Sequence, residues 1–367
     1  IGFSQKQQQQ NQEYSLKIKF VVLLVLSVVM ISCSTQQEIV TEEKTFGLSN
    51  VEQLTFEGDN GEAYWGPQGQ QIIFQSKRDG NGCDKIYIMN ADGSEQHMVS
   101  PELGANTCSY FSLEKDRIIF ASTYGVVDSC PPRPKPQGNK YLWPLFPYDI
   151  YSANPDGSDL VRIRENAGYD AEPTVSYLTG KVIFTSEIDN DLELFTMNID
   201  GSDVQRVTNH LGYDGGPYFS PDAKKIVWRA WYPESAEDTL RWQENMALDQ
   251  VEAVPLSIYT MDVDGQNKVR LTDNGATNWA PSWHPDGKHV VFSSNMDDWN
   301  EEAGAFGHNF ELYMIGIDGS GIKRLTNNAF FDSFPMFSPD GKFMAFASNR
   351  DAENPRATHI FKAEWND

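Results

Sequence analysis

"MFSPDGKFMAFASNR" (336–350) and, a little further on, "THIFKAEWND" (358–367) are the stretches that decide the fold. The first places an aromatic residue, a Pro-Asp-Gly turn and an apolar strand in succession. The second is one more strand, and then the sequence stops. The same first pattern recurs as "YWGPQGQQIIFQSKR" (64–78), "YFSPDAKKIVWRA" (218–230) and "SWHPDGKHVVFSSN" (282–295), with degenerate copies at 110–123 and 175–187. A second module follows five of these copies: "KIYIMNADGS", "DIYSANPDGS", "ELFTMNIDGS", "SIYTMDVDGQ" and "ELYMIGIDGS". Asp-Gly is what a tight hairpin between antiparallel strands demands, because its central positions want a positive φ. A short strand then ends the unit, as in "QRVT", "VRLT" and "KRLT".

Each unit therefore reads as four antiparallel strands, A to D, with a period above 40 residues, the mark of a propeller or sandwich. Repetition favours the propeller. The last copy has no D strand, while "VEQLTF" (51–56) is a D strand with no unit before it. The expected fold is all-β: a six-bladed propeller of four-stranded antiparallel blades, closed by the N-terminal strand completing the last blade.

The pattern PDGKxxxFxSxR…IYxMxxDGS…RLT resembles the TolB-type, WD-repeat-like propeller over residues 51–367. That resemblance implies a binding or scaffold module of the cell envelope. Related repeats also occur in polysaccharide lyases and beside peptidases, so the second reading is a carbohydrate-active enzyme (lyase or hydrolase) or the accessory propeller of a peptidase system.

Ahead of the repeats, residues 1–16 read as an unstructured or non-native leader and 17–32 as a lipoprotein signal peptide. Lys17 and Lys19 precede an apolar run at 20–31, too short to span a bilayer as a helix. The run ends at Ser32-Cys33, which resembles a lipobox, so Cys33 is the expected lipidation site and residues 33–50 a tether. This implies a lipid-anchored protein of the periplasm or outer membrane, touching the membrane through its anchor only. A formal charge of −23 argues against nucleic acid as a partner. The chain is expected to be monomeric.

In an up-down blade the Pro-Asp-Gly and Asp-Gly-Ser turns share one face, and every irregular connection falls on the other. Three long inserts lie there, at 124–149, 231–255 and 295–310. They carry Tyr141, Trp143, Trp231, Trp242, Trp299 and His308, the candidate binding residues for a protein or glycan ligand. The alternative is that the inserts plug the channel or cover neighbouring blades. The D–A connections align Asn60, Asn106, Asp170, Asp214, Asn278 and Asp332 as a polar ring at the channel mouth, with Arg78, Arg229 and Arg350 near enough to pair with its acids. Asx residues at such junctions also cap their own backbone. Cys83, Cys108 and Cys130 fall on the insert face, and one disulfide is expected among them, most simply with Cys130. The six His residues are scattered, with His308 in an insert the one to watch. No catalytic motif, metal set or cofactor is expected.

Overall fold

The computed structural model describes residues 47–112, 116–133, 142–298, 309–329, 331–350, 352, 354 and 357–366. The chain divides into a unit of residues 1–45, which lies outside the described residues, and one of residues 46–367. Cys33 and the segments assigned to leader and signal peptide fall in the first.

The second unit is an all-β propeller of antiparallel sheets. Four sheets are separate and four-stranded, an eight-stranded sheet lies between them in sequence, and a two-stranded ribbon is inserted. Six separate blades were expected. The difference comes from one parallel bridge, Leu192 to Tyr213, which joins the strands Asp191–Met197 and Tyr213–Phe219. On either side of that bridge the pairing is antiparallel and four strands deep.

The second strand of each unit is apolar on both faces. Ile72, Ile73, Phe74, Val182, Ile183, Phe184, Val290, Val291 and Phe292 have no exposed surface. A strand covered on one side only would alternate; a continuous run signals sheets stacked against both faces. The Asp-Gly turns make that stacking close. A Cβ at Gly201 would meet the Ile163 carbonyl oxygen of the preceding sheet at 1.9 Å, and one at Gly157 the Val99 oxygen at 2.6 Å. Glycine is needed here both for φ near +80° and for the approach.

The Leu-Thr signature has an equally local cause. Thr208, Thr272 and Thr326 each accept, through Oγ1, the N–H of the third strand at Leu194, Ile258 and Leu312. Thr55 accepts the Ile360 N–H in the same way, and the Leu54 N–H donates to the Ile360 carbonyl. The strand running into this pair is Gly47–Gln53, antiparallel to His359–Asn366 from Gly47 opposite Asn366 to Gln53 opposite Phe361. It thus begins inside the stretch assigned to the tether, and residues 54–56 follow it.

Candidate functional site

Every first strand carries a β-bulge at the same place. Glu62, Cys108, Glu172, Gly216, Ala280 and Phe334 all have φ between +48° and +59°, each two residues beyond its Asx position. The ladder slips across each of them, as between Gly61 and Tyr64 and between Ser333 and Met336. A bulge re-aims a side chain, and these six line one cavity of about 30 Å³ together with Tyr64, Tyr218 and Arg229. Packed tyrosines keep it small: the Tyr64 ring centroid lies 5.6 Å from Tyr110 and 6.0 Å from Tyr218. The volume holds a water or a small ion.

Its charge is concentrated on one wall. Arg229 pairs with Glu172, whose other oxygen accepts from Thr185 Oγ1 at 2.8 Å and from the Gly216 N–H at 2.7 Å. The guanidinium also lies 4.2 Å over the Trp279 ring. Glu62 accepts only a long bond from Tyr64 Oη, 3.4 Å, among the described hydroxyl and guanidinium donors. Burial pushes its carboxyl up to about 7, and the Glu172 charge adds to the push. The neighbouring Cys108 thiol is raised well above its usual range by burial, then by Glu62 and Glu172. A thiol so placed stays protonated and is a poor nucleophile.

The polar ring lies elsewhere than the sequence reading put it. Asn60, Asn106, Asp170, Asp214, Asn278 and Asp332 are at most 1% exposed. Backbone N–H groups of Asn60, Asn106, Asp170, Asn278 and Asp332 donate to carbonyls of Thr358, Asp84, Tyr148, Leu256 and Phe310, at the start of third strands in the neighbouring unit. Trp228 Nε1 and Tyr232 Oη donate to Asp214 at 2.6 and 2.5 Å. Five of these residues fasten neighbouring repeats together, and Asp214 holds Trp228 and Tyr232 of its own repeat. Of the three arginines, only Arg350 pairs with a ring acid, Asp332, at 2.6 Å. Arg229 turns to Glu172 in the cavity, and Arg78 donates to Gln96 at 2.7 Å while lying 3.9 Å over the Tyr87 ring.

The inserts are also more internally engaged than expected. Leu142–Pro144 pairs with Gln250–Glu252, so the inserts of the second and fourth units form one ribbon. The fourth insert contains a helix, Ala236–Met246, whose Ser235 N-cap accepts the Asp238 N–H. Its Trp242 and Met246, one turn apart, are buried in a cluster with Leu192, Tyr213, Val251 and Leu256. Trp242 donates to Asp191 at 3.0 Å, and Trp143 stacks on Trp279 with centroids 4.9 Å apart. Trp231 packs 5.9 Å from Trp242. Of the candidate binding residues, Trp231 and Trp242 thus pack on each other and Trp143 packs on Trp279. What the helix segment offers to solvent is Leu240, 60% exposed, and Leu248, 65% exposed, among Glu237, Glu244 and Asp249. The helical spacing of Trp242 and Met246 is the sequence signal for which side of the helix faces in. Tyr141, Trp299 and His308 lie outside the described residues.

Cys83 and Cys130 are bonded, tying the first unit's loop to the second unit's insert, and Cys108 is free and buried. A groove of about 420 Å³ between the first two propeller repeats is walled by Val99, Leu103, Tyr124 and Leu160, with Glu102 and Asp156 as its carboxylates. Sequence reasoning also kept His284 and His289 apart; the structure gathers them around Asp286.

No family model matches the sequence. Over 121 residues the chain is 28% identical to an uncharacterized protein of Agrobacterium fabrum, covering 33% of this chain and 35% of that protein. Over 92 residues it is 36% identical to the Tol-Pal system protein TolB of Francisella tularensis, covering 24% of this chain and 18% of TolB. The matched segments therefore span about a third and about a fifth of those relatives. Among solved structures, TolB from Acinetobacter baumannii superposes with a TM-score of 0.53 at 16% identity, over 84% of this chain and 64% of that one. A puromycin-hydrolyzing peptidase of Mycobacterium tuberculosis gives 0.50 at 10% identity, over 80% and 42%. Both likenesses are of fold: the chain has a β-propeller fold like that of TolB, and its repeats are similar in sequence to a 92-residue part of TolB.

Proposed function

We propose that this protein is a non-catalytic binding scaffold of the bacterial cell envelope, a six-bladed ring held to a membrane through lipidated Cys33. The eight-stranded sheet counts as two blades in this reading, since a single bridge joins its halves. The strand Gly47–Gln53 closes the ring by completing the unit to which His359–Asn366 belongs.

The observation that carries the proposal is the size of the axial cavity. At about 30 Å³ it is roughly a tenth of the smallest ordinary ligand site, so a sugar or peptide is engaged on the rim and not drawn inside. The partner we favour is a protein with a basic and apolar surface, because the exposed Leu240 and Leu248 stand among acids on the insert face. Apolar side chains ringed by charge mark such contacts. A glycan is the second reading, supported by Trp143 and Trp231, which are only partly buried. The apolar leader before Cys33 and the Cys83–Cys130 bond both fit an export compartment.

The test is a pull-down from envelope extract with the wild type, with Leu240→Asp/Leu248→Asp, and with Val263→Asp in an opposite-face turn. Loss of one partner only in the double variant is expected. Equal loss with Val263→Asp, or turnover of a glycan by the wild type, would overturn the reading. The anchor is checked separately: Cys33→Ala should move the protein from the membrane to the soluble fraction.

A further inference from the structure

The hairpin "HPDGKH" (284–289) departs from its own repeat at two positions that flank one aspartate. In the fourth and sixth units the residue before the proline is a serine, and its hydroxyl donates to the turn aspartate at 2.7 Å: Ser220 to Asp222, and Ser338 to Asp340. The residue opening the next strand is Lys225 or Phe343. In the fifth unit both positions are histidine. His284 Nδ1 lies 3.1 Å from Asp286 Oδ1, and His289 Nδ1 lies 2.6 Å from Asp286 Oδ2. One donor atom from each of the three residues falls within 4.8 Å of the others.

We propose that His284, Asp286 and His289 bind a divalent transition-metal ion, zinc being the reference case. Ligands around tetrahedral zinc sit about 2.0–2.2 Å from the metal and hence roughly 3.3 Å from each other. Both measured separations are shorter than that spacing, and all three donor atoms lie within 4.8 Å of one another, so small outward side-chain rotations open the set to an ion. Two imidazoles and one carboxylate select zinc, nickel or copper over calcium or magnesium, which prefer oxygen alone.

The set is held in place before any ion arrives. Asp286 Oδ1 accepts the N–H groups of Lys288 and His289 at 2.7 and 3.1 Å, and Gly287 takes φ of +65° to close the turn. The His284 ring meets Phe337 edge-on at 4.6 Å and Trp365 at 5.6 Å, both in the neighbouring unit. Three protein ligands at an exposed hairpin leave a coordination position for solvent or for a side chain of another protein. The site belongs to the turn-bearing face, away from the inserts, and does not depend on the scaffold reading above.

The experiment titrates the chelator-treated full chain with ZnCl2 by calorimetry and records Co²⁺ absorption in the visible range. One zinc per chain and a tetrahedral cobalt spectrum are expected. His284→Ser and His289→Lys install the fourth unit's own residues, so the hairpin should fold. Each should weaken zinc binding by about tenfold or more, and the double variant should abolish it. Asp286→Asn keeps an acceptor for the turn while removing the anionic ligand, and should weaken binding at an unchanged Tm. Without any variant, one equivalent of zinc should protect His284 and His289 in the wild type from diethyl pyrocarbonate, leaving His97 and His210 reactive. Absence of stoichiometric binding, unaltered binding in the double variant, or equal modification of all four histidines would overturn the proposal.

Discussion

At the scale of single residues, the least expected feature is a carboxyl poised near neutrality in the cavity that the bulges line. Glu62 is held up to about 7 by burial first and by the Glu172 charge second. For an acid whose folded pKa lies above its unfolded value, the folded state binds the extra proton between those two values. Stability therefore falls as pH rises from about 4.5 to about 7. At 1.36 kcal/mol per unit, the loss attributable to Glu62 is on the order of 3 kcal/mol. Asp214, raised to about 7 by burial, contributes in the same direction. Glu62→Gln should flatten the stability profile between pH 5 and 7.5 in urea titrations while leaving the acid side unchanged. A profile as steep as the wild type's would show that Glu62 keeps an ordinary pKa. None of this was legible in the sequence, because the bulge positions hold Glu, Cys, Glu, Gly, Ala and Phe. Backbone register fixes them, and no residue type does. Leu54 and Thr55 were legible, because an identical pair of bonds to the third strand needs the same side chain at each copy.

At the scale of elements, hairpins and inserts differ in how much their sequences reveal. The Asp-Gly turns were readable because positive φ and close packing both exclude a side chain, and the copies should rank by that packing. Adding a Cβ at Gly201 meets a carbonyl oxygen at 1.9 Å, whereas at Gly319 the nearest is at 3.6 Å. Both glycines have φ near +80°, so the left-handed strain is shared and roughly 1–2 kcal/mol. Gly201→Ala should therefore cost clearly more than Gly319→Ala in denaturant midpoints, and equal costs would mean that the inter-unit contact relaxes freely. The inserts hid their structure because pairing across two of them, Leu142–Pro144 with Gln250–Glu252, joins segments more than 100 residues apart. The disulfide works on the same long range. Cys83–Cys130 closes a separation of 47 residues, worth roughly 4 kcal/mol in the chain-entropy model. Cys130→Ser should lower the midpoint under oxidising conditions and match the wild type once reductant is present. A midpoint equal to the oxidised wild type's would count against a stabilising bond.

At the scale of the whole molecule, the two ends of the repeat array must meet if the units form a ring. Short stretches at 51–56 and 358–367 carried that expectation in the sequence, since one unit lacked a strand and one strand lacked a unit. The strand Gly47–Gln53 lies beside His359–Asn366, and Lys362 pairs with Glu52 at 2.9 Å across it. If this contact equals the interior ones, Thr55 and Thr272 have equivalent duties. Each satisfies one buried N–H of a third strand, at Ile360 and at Ile258. Replacing either by Val leaves that donor unpaired, at a cost of about 1–3 kcal/mol. Thr55→Val and Thr272→Val should then destabilise by similar amounts, measured as urea midpoints at constant slope. A Thr55→Val cost near zero, beside a full cost for Thr272→Val, would show that the terminal strand frays and leaves the ring open. Deleting residues 46–57 goes further, because it bares the edge of His359–Asn366 with Ile360 and Phe361 near its start. An uncovered apolar edge pairs with other chains, so the shortened protein should aggregate where the wild type stays monodisperse in light scattering, and a monodisperse product would refute closure by this strand.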